Sequence, residues 1–124
     1  MLKAIVAIII GSSLGGLSRW LLSTRFNPLL TIPFGTLLSN LLAGYIIGYA
    51  LMFFTNHPNI TPEWRLLIMT GFCGGLSTFS TFSVEVILFF QRGQIGLGCI
   101  TILMHVIGSL VMTILGIMTF NWLK

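Results

Sequence analysis

Gly71-Phe-Cys-Gly-Gly-Leu-Ser-Thr-Phe-Ser-Thr-Phe-Ser-Val-Glu85 decides how this chain is read. The stretch lies in the third of four apolar segments, yet it sets five hydroxyls, three glycines and a carboxylate at bilayer depth. Polar and ionisable groups there are costly and mark a binding or permeation pathway. Glycines beside them let a helix break and turn its carbonyls towards a ligand, which is tolerated only where protein buries the break. Phe79 and Phe82 stand among the hydroxyls. A phenyl ring has an electropositive edge, which suits a small anion. The segment is the candidate site.

The rest of the chain agrees with a membrane setting. Of 124 residues, 56% are hydrophobic and 6% charged, and the mean hydropathy is +1.04. A soluble domain of this size cannot cover so much apolar surface. The net charge of +4 is spread thinly, with no basic run to suit nucleic acid. Cys73 and Cys99 both fall inside apolar segments, so no disulfide framework is expected. The opening Met-Leu-Lys-Ala-Ile-Val runs without a clear Ala-x-Ala site into Leu17, Arg19 and Trp20, and reads as a retained span.

The interruptions predict four helical spans in one domain covering residues 1–124, an all-α membrane protein. The first covers roughly residues 3–25 and ends around Pro28; the second follows Pro33 and runs to about Thr55. The third starts with Thr61 as N-cap and Pro62 in the first turn, breaks near Gly74–Ser80, and reaches Arg92. The fourth follows Gly93, Gly96 and Gly98 and ends near Trp122. Trp20, Trp64 and Trp122 fall near span ends, where interfacial anchoring accounts for them. His57, between Asn56 and Pro58, reads as a loop residue.

With four spans, Lys3, Arg65 and Lys124 share one face, and Arg19, Arg25 and Arg92 the other. This balance gives no positive-inside bias. It predicts insertion in both orientations and an antiparallel pair, since four short helices can hardly enclose a solvated pathway. Small residues recur at every fourth position: Gly11, Gly15 and Arg19; Thr36, Asn40, Gly44 and Gly48; Gly71 and Gly75. Such spacing lets helix backbones approach closely. Asn40 on the second stripe is equally well read as interhelical glue or as a ligand. On the fourth span, Thr101, His105, Ser109 and Thr113 make a matching polar line, and His105 there suits a pathway or a proton relay.

Enzyme chemistry has little to work with. The chain has two carboxylates and two histidines, no metal-ligand spacing and no phosphate loop. Conduction, coupled transport and a packing role in a larger complex remain. A small multidrug-type exporter would need an acid in the first span, where only Arg19 is found.

The segment 71–85 closely resembles the signature of the Fluc family of fluoride channels, the CrcB-like proteins. So do the Gly-x-x-x-Gly-x-x-x-Arg pattern ending at Arg19 and Gly35-Thr-Leu-Leu-Ser-Asn40. The resemblance runs over essentially the whole chain. It implies a dual-topology antiparallel homodimer in the bacterial inner membrane, with two fluoride pathways and a structural sodium ion at its centre. By position, it implies that Phe79 and Phe82 line the fluoride sites with their ring edges and that Asn40 donates to the ion. Ser80, Thr81, Glu85, His105, Ser109 and Thr113 would form the polar track, with Arg19 near an aqueous vestibule. The carbonyls of Gly74 and Ser77 from each subunit would hold sodium.

Overall fold

In lipid no water pairs with exposed backbone groups, so an isolated chain crosses as helix. The computed structural model describes residues 1–124 and is all-helical. Helix α1 spans Leu2–Phe26 and runs into a 3-10 turn at Asn27–Leu29; α2 spans Phe34–Asn56. The third crossing is two helices, α3 over residues 62–76 and α4 over Phe79–Gln91, and α5 spans Ile95–Leu123. The four crossings are long and apolar enough to traverse a bilayer, which makes this a multi-pass membrane protein.

Local chemistry sets the ends. Pro33 holds an extended backbone ahead of α2. Thr61 takes the N-cap position of α3 with Pro62 in the first turn, but the threonine carbonyl, not its hydroxyl, receives the Trp64 N–H. Gly93 turns the chain after α4 with φ of +75°, a conformation open to glycine at little cost. The fourth span begins two residues later, so Gly96 and Gly98 are helical rather than part of the connection. Gly98 is where the Phe90 ring rests: a β-carbon there would come within 2.3 Å of it.

Glycine stripes join the crossings within the chain. A β-carbon on Gly11 would lie 2.2 Å from the Leu67 carbonyl oxygen, and one on Gly15 would lie 2.2 Å from that of Phe72. These contacts fuse α1 to α3. Gly48 and Gly116 do the same between α2 and α5, each with main-chain oxygen 2.1 Å from the added carbon. Gly35 meets the Leu22 carbonyl of α1 at 2.2 Å. With lipid on both sides there is no hydrophobic force between helices, and such close backbone packing is what holds them. The middle of α3, Leu66–Cys73, is wound as a π-helix. Runs of this kind are rare and often accompany functional sites. At Ser77 and Thr78 the third crossing breaks into extended backbone, with φ/ψ of −80°/152° and −150°/115°. The break falls inside the expected Gly74–Ser80 window.

Candidate functional site

The break frees backbone groups that must find partners at membrane depth. Thr78 solves most of this. Its hydroxyl caps α4 by accepting the Thr81 N–H at 3.3 Å, the local competition that makes threonine a good cap. Its own N–H donates to Asn40 Oδ1 at 2.7 Å, and its carbonyl accepts from Asn40 Nδ2 at 3.2 Å. Asn40 thus pairs with the broken strand of α3–α4 as a neighbouring strand would. The same Nδ2 lies 2.8 Å from His105 Nδ1 on α5.

Other carbonyls at the break divide into tied and free. Arg19 Nε donates to the Gly75 carbonyl at 3.2 Å, binding α1 to the end of α3. The Cys73 carbonyl accepts from the Ser77 N–H at 2.9 Å. The Gly74 and Ser77 carbonyls receive no such bond, because the Thr78 and Thr81 amides that would close those turns go to side chains. A β-carbon on Gly74 would meet nothing within 4 Å. Two free main-chain oxygens on an exposed face suit a hard cation. Nowhere do three His, Cys, Asp or Glu side chains converge for a metal.

Around the break runs a cleft of about 480 Å³, lined by Asn40, Gly74, Ser77, Thr78, Phe79, Phe82, His105, Ser109 and Thr113 among others. The two phenyl rings meet edge-on, centroids 5.3 Å apart at 67°. Phe82 is buried and lies 4.5 Å from the His105 ring at 35°, whereas Phe79 is 75% exposed. Thr113 turns its hydroxyl back to the Ser109 carbonyl at 2.9 Å. Ser80, Thr81, Glu85 and Arg19 do not line the cleft. Ser80 Oγ is 3.5 Å from Thr78 Oγ1, at the cleft's edge.

Glu85 belongs to a second cluster. Thr36 Oγ1 donates to Glu85 Oε2 at 2.7 Å, and Asn27 brackets the same threonine, accepting its N–H at 2.9 Å and donating to its hydroxyl at 3.3 Å. Glu85 Oε1 is buried with no protein partner. Sequence reasoning placed Thr36 only in a packing stripe and passed over Asn27. The Asn27-Pro28 pair marks a turn start, a signal that says nothing about which side chain the asparagine would reach. Thr78 was counted only among the hydroxyls, although a threonine three residues before Thr81 at a break is a capping signature.

The composite surface offers hydroxyls, an imidazole and ring edges, with exposed main chain beside them. It can replace the water around a small anion without a fixed positive charge. Comparison with known proteins narrows the chemistry. Residues 6–117 match the family model described as CrcB-like protein, Camphor Resistance (CrcB). A protein of Nitrosomonas europaea is 54% identical over all of this chain and 98% of its own length. One of Pseudomonas aeruginosa is 55% identical over 99% of this chain and 98% of its own length. One of Tolumonas auensis is 56% identical over all of this chain and 98% of its own. Each of these relatives bears the name fluoride-specific ion channel FluC.

Proposed function

The chain belongs to the CrcB-like family, and on that premise we propose that it is a fluoride-selective channel, not an enzyme, working as an antiparallel homodimer. Fluoride leaves the cytoplasm passively through the inner membrane, which lowers its concentration inside. A sodium ion at the dimer centre has a structural role. The name shared by relatives over the full length of the chain carries the substrate.

The geometry supports the remainder. Ser77, Phe79 and Ser80 are exposed midway along the third crossing, beside a break in the main chain. Irregular backbone at this depth is tolerated only where protein or a water-filled cavity covers it. A second copy placed over the cleft covers it and brings the Gly74 and Ser77 carbonyls of both subunits together, four oxygens for one sodium. Sodium would supply only charge balance for these converging dipoles. Along the cleft, Phe79 and Phe82 offer ring edges, Ser109 and Thr113 hydroxyls. Ser80, Thr81 and Glu85 continue the polar track beyond it, and Arg19 draws anions to its mouth. Conduction needs binding tight enough to admit the ion and weak enough to release it, which neutral donors provide.

The test is efflux from liposomes holding purified protein and potassium fluoride. Valinomycin releases the opposing voltage, and fluoride should then leave without a proton gradient. Equal release of chloride, or a strict need for a proton gradient, would contradict the proposal.

A further inference from the structure

Helices α1 and α3 start on the same face of the membrane, and between their first turns runs a groove of about 520 Å³. Met69 and Cys73 of α3 line the cleft, whereas Glu63 and Leu67 line the groove, so the two openings lie on different sides of α3. Polarity is graded along the groove. Lys3, Thr61, Glu63 and Trp64 stand in the first turns, at the depth of lipid headgroups. Val6, Ile10 and Leu67 line it one to two turns deeper, and at 1.5 Å per residue Ile10 is about 10 Å below Lys3. The groove ends at Gly11, where the helices close on each other: a β-carbon there would lie 2.2 Å from the Leu67 carbonyl oxygen. A space charged at its mouth and apolar along its depth has the form of a phospholipid.

The charges name the headgroup. Lys3 and Glu63 line the mouth from different helices and are in no ion pair with each other. The Thr61 hydroxyl caps nothing and is free to donate. An acid in a first turn complements the helix dipole, but that gives no reason for a cation across the groove from it. A glycerol headgroup would satisfy Lys3 and leave Glu63 facing a net negative charge. A choline headgroup brings a cation with no N–H to donate. Ethanolamine joins a phosphate to a primary ammonium with three donors, the strong kind of partner for a carboxylate. We propose that the groove binds one phosphatidylethanolamine molecule, its phosphate at Lys3 and Thr61, its ammonium at Glu63, and an acyl chain along Val6, Ile10 and Leu67. Trp64, 53% exposed at the mouth, sits where tryptophan favours the headgroup level. The inference goes beyond the channel reading and does not depend on it; in the proposed antiparallel pair, one groove would open to each leaflet.

Trp64 is also the probe. Trp20→Phe with Trp122→Phe leaves it as the single tryptophan. The protein is placed in bilayers of equal parts phosphatidylethanolamine, phosphatidylcholine and phosphatidylglycerol, with one lipid at a time brominated on its acyl chains. Brominated ethanolamine lipid should quench Trp64 with a relative affinity about twofold to tenfold above the other two, the range for one or two ion pairs at a surface. Glu63→Gln should abolish the preference over choline, and Glu63→Lys should transfer it to the glycerol lipid. Lys124→Gln removes a cation that does not line the groove and should change nothing. Equal quenching by the three lipids, or a preference that survives Glu63→Gln, would overturn the inference. So would an absence of quenching, which would mean that a protein segment fills the groove. The preference of the single-tryptophan parent decides the case even where a charge variant fails to assemble.

Discussion

Thr36 has one proton to give, and Asn27 decides where it goes. Asn27 Nδ2 occupies a lone pair of the threonine oxygen, so the hydroxyl points to Glu85. Thr36→Val keeps the shape and removes the donor. It should destabilise the folded protein by about 1–3 kcal/mol, the usual cost of leaving a buried acceptor unpaired. Guanidinium unfolding in detergent measures it, and an unchanged midpoint would show that the bond holds nothing. The two phenylalanines make a contrasting pair. Ile at either position is apolar and of comparable bulk, a change that costs under about 1.5 kcal/mol in a packed core. Phe79→Ile should leave stability untouched, the ring being exposed on the single chain, and Phe82→Ile should lower it modestly through the His105 contact. Both should reduce fluoride efflux severely, since each removes an electropositive edge. Normal flux through both variants would make the rings packing only. Phe79, Phe82, Asn40 and His105 were named together from the sequence, and the structure sets all four along one cleft. What stayed hidden was how Asn40 spends its hydrogen bonds, because that depends on where Thr78 lies after the break.

Among the elements, the glycine stripes were legible as places of close approach, but spacing alone names no partner. Gly11 and Gly15 pack against α3, and Gly48 against α5. Gly48→Ala places a carbon 2.1 Å from the Thr113 carbonyl oxygen, a main-chain atom that cannot swing aside. Overpacking of this kind costs about 1–3 kcal/mol. Gly16→Ala meets nothing within 4 Å and should be neutral or slightly stabilising, since alanine is the better helix former. Comparing the two unfolding midpoints checks the assignment, and equal midpoints would contradict it. Gly96 and Gly98 were misread as connection because glycine is a breaker by propensity. In α5 the Phe90 ring takes up the space at Gly98, and tertiary packing overrides propensity. The π-helical run Leu66–Cys73 left no trace in the pattern, as its apolar residues fit an ordinary helix equally well.

For the whole molecule, the open cleft and the balanced charges both support the proposed antiparallel pair. Exposed polar main chain at mid-membrane would be covered by the proposed partner, and the equal division of Lys and Arg gives no bias against the inverted insertion the proposal needs. The charge balance lies in the sequence, but the location of the cleft does not. A cysteine placed at Asn56, in a background with Cys73 and Cys99 replaced, should react with impermeant reagent from either side of the native membrane. Reaction from one side only would contradict dual topology. Chelating sodium from the exterior solution with a cryptand should not stop flux at once, because the ion would be enclosed between subunits. The central claim, a passive pathway that chooses fluoride over chloride, is tested most directly by the reversal potential of purified protein in a planar bilayer, with fluoride on one side and chloride on the other. The account predicts a reversal near the fluoride equilibrium value that is unmoved by a pH difference across the membrane. A reversal near zero, or one that follows the proton gradient, would contradict it.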